Sequence, residues 1–271
     1  MPELPEVETT CRGISPFLTN KTISRVDVRE ERLRWPVSPE ICSATGLVIT
    51  QVRRRAKYII LDTQSGGHIL IHLGMSGSLR ICGADSDIRK HDHVIFHLPD
   101  ELELRYHDPR RFGCILWVEG NVESHPLLKD LGPEPLSEEF SADYLYASTR
   151  GRNTAIKLHI MNNHHVVGVG NIYACESLFM SGIHPTRSAG RISKSRLTKL
   201  HQAIQTVLER SITQGGTTLR DFVNSDGQPG YFKQQLEVYD REGEPCRQCG
   251  AAIKRIVLGQ RSTFYCPKCQ R

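Results

Sequence analysis

Four cysteines near the C-terminus have the type and spacing of a metal site. Cys246 and Cys249 form one C-x-x-C pair, Cys266 and Cys269 form a second, and 16 residues separate the pairs. Two such pairs, each on a tight turn, complete a tetrahedral shell of four thiolates, for which Zn²⁺ is the expected ion. Because four protein sulfurs leave no position for water, the pattern predicts one structural zinc and makes a zinc-dependent hydrolase the least favoured class.

The first residues carry a second possible chemistry. Removal of Met1 would leave Pro2 with a free secondary amine, and an α-amino group with a pKa near 8 is roughly one tenth unprotonated at neutral pH. Such an amine can attack an electrophilic sugar carbon and form an iminium ion, while Glu3 could protonate the ring oxygen. Taken alone, these residues favour a plainer alternative, in which Pro2 and Glu3 only precede a helix.

The positive charge of the chain is concentrated near its C-terminus. The net charge is +5, yet the segment from Cys246 to Arg271 holds six basic residues and no acidic one. The rest of the chain is therefore close to neutral. A small basic module on a neutral body predicts a polyanionic partner, although charge alone would also fit a solvated tail.

Length and composition bound the class of protein. The chain has 271 residues, of which 38% are hydrophobic and 24% charged, as in a soluble globular protein of one or two domains. No apolar run is long enough to cross a bilayer, and three glutamates among the first eight residues do not fit a secretory signal. Five further cysteines are scattered singly, which fits reduced thiols better than a disulfide framework. We therefore expect a cytoplasmic protein without a membrane partner.

The elements that must position these groups follow from hydrophobic periodicity. A first helix is indicated by Pro5, by Glu6 and Glu8, and by an apolar face of Val7, Cys11, Ile14 and Leu18. Six short strand-like runs then predict a β-sandwich or barrel: Ile23–Val28, Leu47–Val52, Tyr58–Asp62, His68–Leu73, His93–Leu98 and Cys114–Val118. The four cations in 53–57 predict a strand edge that faces phosphate.

The second half of the chain has a helical pattern. Leu131-Gly-Pro-Glu-Pro-Leu136 is typical of a linker, and a helix with Leu197, Leu200 and Ile204 on one face is expected to end before Gly215-Gly216. Between helices, 166–171 predicts a tight turn. We expect an α+β fold with an N-terminal domain over 1–131, a linker over 132–140, a helical domain over 141–235 and a four-cysteine module over 236–271.

Several motifs together resemble those of the formamidopyrimidine-DNA glycosylase family, and the resemblance spans essentially the whole chain. It rests on the start Met1-Pro-Glu-Leu-Pro-Glu-Val-Glu-Thr9, on the four-cysteine module and on internal motifs. The internal motifs are Arg54-Arg-Ala-Lys-Tyr58, His72-Leu-Gly-Met-Ser-Gly-Ser78, Lys90-His-Asp-His93, Asp108-Pro-Arg-Arg-Phe-Gly113, Leu131-Gly-Pro-Glu-Pro135, Val167-Gly-Val-Gly-Asn-Ile-Tyr173 and Gln214-Gly-Gly-Thr-Thr218.

The resemblance implies a bifunctional enzyme that excises 8-oxoguanine and formamidopyrimidines from duplex DNA and then nicks the strand by β- and δ-elimination. It implies that Pro2 forms a Schiff base with the deoxyribose and that Glu3 donates a proton to the opening ring. By the same resemblance, Lys57 contacts the lesion's phosphate and donates a proton in β-elimination, and Arg261 clamps phosphate and serves δ-elimination. Zinc is the implied cofactor, no organic cofactor is expected, and a monomer is expected, associated with the nucleoid while it acts on DNA.

The same resemblance assigns the contacts to DNA. Met75, Arg110 and Phe112 would fill the space left by an extruded nucleotide, which a glycosylase must take out of the stack. Without the resemblance, Met75 and Phe112 would be assigned to the core. Further contacts are implied at His72, His91, Arg152 and Asn171, and the fold implied is an N-terminal β-sandwich with flanking helices, then a helix–two-turn–helix domain with a zinc-finger β-hairpin. The segment Gly215-Gly-Thr-Thr218 would close over the extruded base.

Two alternatives share parts of this pattern. An endonuclease VIII-like glycosylase for oxidised pyrimidines would share Pro2, Glu3 and Lys57, but Leu4 and Phe112 favour the purine enzyme. A non-catalytic DNA-binding protein with a zinc ribbon would share the basic cysteine module. Covalent trapping with borohydride separates that protein from an enzyme, because only an enzyme forms the reducible adduct.

Overall fold

The computed structural model describes residues 2–215 and 236–271. Met1 and the Gly216–Thr218 part of the expected base-closing segment lie outside the described residues. The chain divides into two compact units, with the first division between Lys129 and Asp130. In the described part, no helix is long and apolar enough to cross a membrane.

The first unit is a β-sandwich with one long helix. Helix α1 spans Leu4–Leu18, and eight strands follow it: β1 Arg25–Val28, β2 Ile49–Arg55, β3 Tyr58–Thr63, β4 His68–His72, β5 Ser78–Gly83, β6 Asp92–His97, β7 Leu102–His107 and β8 Cys114–Val118. Two antiparallel sheets of four strands form, in the orders β1-β6-β7-β5 and β2-β3-β4-β8. One hydrophobic core joins α1 to the inner faces of both sheets, so the sandwich is confirmed over the barrel.

Helix α1 is amphipathic as its sequence predicts. Val7, Cys11, Ile14 and Leu18 recur at helical spacing and are all buried, at most 5% exposed. The helix contacts β2, β3 and β5. Its N-terminus is thereby fixed against the sandwich, which places Pro2 and Glu3 on a rigid element.

Two strands, β5 and β7, are absent from the sequence prediction. Each carries charged residues that are buried. In β7, Arg105 and Glu103 pair at 2.7 Å, and in β5, Arg80 pairs at 2.7 Å with the buried Asp92 of β6. In β7, Leu102, Leu104 and Tyr106 alternate with polar residues, so the strand has the apolar alternation of a half-buried strand, which the sequence prediction overlooked. That its charged residues are buried as well is evident only in the structure.

The second unit is helical and ends in a hairpin. Its elements are α2 Ala142–Thr149, α3 Ile156–Ile160, α4 Asn171–Met180, α5 Lys194–Thr213, β9 Lys254–Leu258 and β10 Arg261–Tyr265. Helix α4 is buried over most of its length and packs against α5 and β10. A separate core around the cysteine module includes Phe179 of α4 and Phe264 of β10. Helix α5 ends before Gly215, as predicted, whereas ten residues connect α3 to α4 instead of the tight turn expected at 166–171.

Candidate active site and metal centre

The N-terminus of α1 holds two buried carboxylates. Glu3 precedes the helix and Glu6 lies in its first turn, and they form a reciprocal capping box. The backbone N–H of Glu3 donates to Glu6 Oε2 at 2.8 Å. Glu3 is 3% exposed and Glu6 is fully buried, and Pro2 beside them is also buried. The cap therefore fixes the backbone that carries the Pro2 nitrogen.

Lys57 lies in the two-residue turn between β2 and β3. Ala56 adopts a left-handed backbone there, with φ +53°. Arg54 of β2 connects this turn to α1, because its Nε donates to Glu8 Oε2 at 2.9 Å and its Nη1 donates to the Ala56 carbonyl oxygen at 2.9 Å. Burial raises the pKa of Glu8, but hydrogen bonds from Arg54 and Arg12 outweigh it and lower that pKa, so Glu8 stays ionised.

The expectation that all four cations of 53–57 face phosphate is wrong for the arginines. Arg53 pairs with Asp62 at 2.7 Å, Arg54 with Glu8 at 2.9 Å, and Arg55 lies 3.8 Å from Glu123. Each guanidinium therefore meets a carboxylate of the same unit. Lys57 lies beyond the end of the strand, in the turn.

His72 at the end of β4 is held as a neutral imidazole. Burial, together with the charges of Lys57 and Arg34, lowers its pKa to about 4. Its Nδ1 accepts the backbone N–H of Gly74 at 3.0 Å, so the ring proton resides on Nε2. His72 thus offers one N–H donor close to the Lys57 ammonium, an arrangement suited to a phosphate oxygen.

Met75, Arg110 and Phe112 lie exposed on two adjoining loops. Met75 is 38% exposed and Phe112 is 42% exposed, which is unusual for large apolar side chains. The Arg110 guanidinium lies over the Phe112 ring, 4.9 Å from its centroid. A Cβ at Gly74 would lie 2.5 Å from the Gly113 nitrogen, so glycine permits the two loops to touch through their backbones.

His91 lies at the edge of a basic concavity in the same unit. Its ring is 5.8 Å from that of His93 and 5.9 Å from that of His107. Desolvation and the neighbouring His107 lower its pKa, so the ring is mostly neutral. The concavity has a volume of about 400 Å³ and is also lined by Lys90, by Arg111 and by its partner Glu30. A neutral imidazole among cations can donate to a phosphate oxygen.

Asn171 begins α4 and connects three elements of the second unit. Its Oδ1 accepts from Lys157 Nζ at 2.5 Å, and its Nδ2 donates to the Ser262 carbonyl oxygen at 2.9 Å. Lys157 of α3 is fully buried and also donates to Thr263 Oγ1 at 2.7 Å. Asn171 thereby fixes the start of α4 against both α3 and the hairpin of the same unit. No pattern in the sequence singles out Lys157, since a lone lysine in a helical stretch is normally exposed.

Arg152 and Arg261 are exposed at separate places in the second unit. Arg152 lies between α2 and α3, where its charge lowers the pKa of His159, although burial of that histidine contributes more. Arg261 is the first residue of β10 and pairs with Leu258 across a two-residue turn in which Gly259 and Gln260 have positive φ. The turn lies against α3, since a Cβ at Gly259 would be 2.6 Å from Leu158 Cδ2, while Arg261 beside it stays exposed.

The four cysteines of the second unit converge on one point. Their sulfur atoms all lie within 4.8 Å of one another, with 3.9 Å between Cys246 and Cys269 and 3.4 Å between Cys249 and Cys266. Zn–S bonds of about 2.3 Å in a tetrahedron require sulfurs roughly 3.8 Å apart. The residues therefore fit a single zinc ion, and within the described residues no other cluster could hold a metal.

Comparison with known proteins places the chain in a family. Three family models match it: the N-terminal domain of formamidopyrimidine-DNA glycosylase at residues 1–115, the H2TH domain of that enzyme at 131–223, and the zinc finger found in FPG and IleRS at 243–271. The chain belongs to the formamidopyrimidine-DNA glycosylase family. The resemblance stated from sequence motifs is thereby confirmed.

Individual relatives match this chain over essentially the full length of both proteins. Formamidopyrimidine-DNA glycosylases of Thioalkalivibrio sulfidiphilus and Methylococcus capsulatus are 55% and 57% identical, each with 100% of both chains covered. The crystal structure of MutM (Fpg) from Thermus thermophilus matches with a TM-score of 0.90 at 35% identity, covering 99% of this chain and 98% of that one. Lactococcus lactis Fpg in complex with DNA containing an abasic site matches with a TM-score of 0.91 at 31% identity, with both chains fully covered. The predicted α+β fold and the structural zinc are confirmed.

Within this glycosylase, the predicted site residues fall into two groups. The first unit holds Pro2, Glu3, Lys57, His72, Met75, His91, Arg110 and Phe112, and the second holds Arg152, Asn171, Arg261 and the four cysteines. Sequence reasoning quoted Arg54 in a motif but missed its role in positioning, and it missed Lys157 altogether. Their signal is burial of a charged side chain, which appears only in three dimensions.

Proposed function

We propose that the chain is a bifunctional DNA glycosylase and AP lyase of base-excision repair that removes 8-oxoguanine and formamidopyrimidines from duplex DNA. The observation that carries the proposal is the link made by Arg54. It ties the turn that bears Lys57 to the helix whose capped start bears Pro2 and Glu3. A nucleophile, an acid and a cation on rigid, mutually braced elements are what covalent sugar chemistry requires.

The first step is displacement of the damaged base. With Met1 removed, the Pro2 nitrogen bonds to C1′ of the deoxyribose, and the bond from C1′ to the base breaks with its electron pair leaving on the base. The Pro2 nitrogen loses its proton in this step, and the departing base gains one. Glu3 gives a proton to the ring oxygen O4′ as the bond from C1′ to O4′ opens. The product is an iminium ion between Pro2 and C1′. The capping box holds the Glu3 backbone in place for this proton transfer.

Strand cleavage follows from the iminium ion. Loss of a proton from C2′ expels the 3′ phosphate in β-elimination, and a second elimination expels the 5′ phosphate. Lys57 contacts the lesion's phosphate and donates a proton in β-elimination, and the Arg261 guanidinium binds phosphate and serves δ-elimination. Hydrolysis of the iminium by water then frees Pro2. His72 supports the binding of this phosphate by Lys57, because its Nε2–H is a second donor next to the Lys57 ammonium.

The remaining groups bind the duplex. Met75, Arg110 and Phe112 fill the space left by the extruded nucleotide, and Phe112 wedges between base steps. His91, Arg152, Asn171 and the basic residues of the zinc hairpin bind phosphates. Such contacts make binding weaken steeply as salt rises. Zinc stabilises the fold of the hairpin when bound to the four cysteines and takes no part in bond making.

The domain division and cellular setting complete the proposal. Residues 1–131 form the catalytic domain, 132–140 a linker, 141–235 the helix–two-turn–helix domain and 236–271 the zinc finger. One chain supplies every role named above, so a monomer suffices. Because the substrate is chromosomal DNA, the protein works in the cytoplasm in association with the nucleoid.

Excision from matched duplexes tests the proposal. Three labelled duplexes differ only in one base pair. That pair is 8-oxoguanine with cytosine, thymine glycol with adenine, or undamaged guanine with cytosine. We expect cleavage of the 8-oxoguanine strand, with phosphate at both ends of the gap, and no cleavage of undamaged DNA. Faster cleavage at thymine glycol would favour an oxidised-pyrimidine enzyme. Binding without cleavage of any duplex would favour a non-catalytic protein.

A further inference from the structure

The two loops that carry the exposed side chains meet at one buried carboxylate. We define the Met75 loop as residues 73–77, between β4 and β5, and the Phe112 loop as residues 108–113, between β7 and β8. Asp108 is fully buried at the start of the second loop. Ser76 Oγ donates to its Oδ1 at 2.9 Å, and the Gly113 N–H donates to its Oδ2 at 2.9 Å.

The backbone and neighbours of Asp108 fix the carboxylate further. Its N–H donates to the His91 carbonyl oxygen at 3.1 Å, and its carbonyl oxygen accepts the Arg111 N–H at 3.1 Å. The Tyr106 hydroxyl lies 3.2 Å from Oδ2 and 3.3 Å from the His72 carbonyl oxygen. Burial, reinforced by the Asp108 charge, raises the pKa of Tyr106, so this hydroxyl keeps its proton and donates.

We propose that Asp108 is a positioning residue that holds the Met75 loop and the Phe112 loop in one fixed arrangement, so that Met75 and Phe112 enter the duplex together when a damaged nucleotide is extruded. The inference rests on the proposed function. Its physical basis is that each carboxylate oxygen accepts a hydrogen bond from a different loop. Bonds to a buried charged acceptor are stronger than neutral ones.

Only a carboxylate accepts both bonds as a charged group. An asparagine at this position would turn its oxygen to the Gly113 N–H and its NH₂ group to Ser76 Oγ, which would have to change from donor to acceptor. Both links would then be neutral hydrogen bonds, which are weaker than bonds to a buried charged acceptor. The two loops would be held to each other less firmly, while the sheets that carry them persist.

Asp108→Asn is compared on two substrates that differ in the cost of extrusion. Excision of 8-oxoguanine requires a stacked and paired base to leave the helix, whereas an abasic site has no base to unstack. In single-turnover assays we expect 8-oxoguanine excision to fall roughly 10- to 100-fold, as for a misplacement of about 1 Å. Abasic-site cleavage should change less than about threefold. With the wild-type chain, we expect the fluorescence of a 2-aminopurine opposite the lesion to rise as Met75 and Phe112 enter the duplex. Asp108→Asn should lose this rise.

Two further variants separate positioning from stability. Asp62 is another carboxylate of the same sandwich, and it binds Arg53 and His68. Asp62→Asn is therefore expected to leave the ratio of the two rates unchanged. Ser76→Ala removes only the bond to the Met75 loop and should slow excision in the wild-type chain but have no further effect in Met75→Ala.

Each outcome decides the inference. An equal loss of rate on both substrates in Asp108→Asn, which leaves the ratio of the two rates unchanged, overturns the inference. Additive effects of Ser76→Ala and Met75→Ala overturn it as well, even when Asp108→Asn does not fold. Failure of the wild-type chain to excise 8-oxoguanine would instead contradict the proposed function.

Discussion

Replacement of Thr263 by valine tests how the zinc hairpin is held to its own unit. Lys157 and Thr263 are both fully buried, and Lys157 Nζ donates to Thr263 Oγ1 at 2.7 Å and to Asn171 Oδ1 at 2.5 Å. Valine keeps the shape of threonine but removes the acceptor from a buried cation. A hydrogen bond to a charged group contributes about 1.5–3 kcal/mol, so Thr263→Val should destabilise the unit by about 2 kcal/mol.

The loss should also reach the DNA-binding surface. Thr263 Oγ1 lies 3.2 Å from the Arg261 carbonyl oxygen, and Asn171 Nδ2 holds the neighbouring Ser262 carbonyl oxygen. With the hydroxyl gone, the strand that bears Arg261 is less firmly fixed, and affinity for a duplex with an abasic-site analogue should fall several-fold.

Thr263→Ser is the matched control, because it keeps the hydroxyl and loses only a methyl group. Thermal unfolding followed by circular dichroism should show the valine variant melting on the order of 5 °C below the serine variant. Zinc content, measured by a colorimetric chelator after denaturation, should be equal in both variants. If valine and serine variants melt together and bind DNA equally, the buried lysine does not anchor the hairpin.

Three other predictions follow from contacts and charges described above. Arg54→Lys cannot span Glu8 and the Ala56 carbonyl, so kcat for strand cleavage should fall about tenfold with little change in affinity for lesion DNA; unchanged kcat would contradict the bracing role. The unfolded chain takes up a proton at His72 below pH 6.5, whereas the folded chain does so only near pH 4. As pH is lowered from 6.5 to 4, the free energy of unfolding measured in urea should therefore fall by at most about 3 kcal/mol, and His72→Asn should flatten that fall. An equal dependence on pH in both chains would contradict a neutral His72. Cys249→Ser should lose zinc and DNA affinity together, and a variant that binds DNA tightly without zinc would refute the structural role.

The sequence is most informative where local pattern and tertiary environment agree. The apolar face of α1 and the strand Cys114–Val118 are predicted from periodicity and found in place. The spacing of the cysteines predicts both the hairpin and the convergence of sulfur atoms, because ligand geometry imposes that spacing. In each case the chemistry depends on residues close together along the chain.

The sequence fails where charges are buried. Arg80 of β5 pairs with Asp92 of β6, a partner that becomes evident only when the sheet is formed. Lys157 is missed for the same reason, since a single lysine predicts solvent exposure. The arginines of 53–55 show the converse: a basic run predicts phosphate binding, yet the partners come from distant carboxylates.

The central claim is that the Pro2 nitrogen bonds to the deoxyribose. Sodium borohydride added during reaction with an 8-oxoguanine duplex reduces the iminium ion and fixes the protein to DNA. Peptide mass mapping of the adduct then identifies the attached residue. The account predicts one adduct, on the N-terminal peptide at Pro2, in a chain that has lost Met1. An adduct at a lysine such as Lys57, or strand cleavage by a chain that keeps Met1, would contradict it.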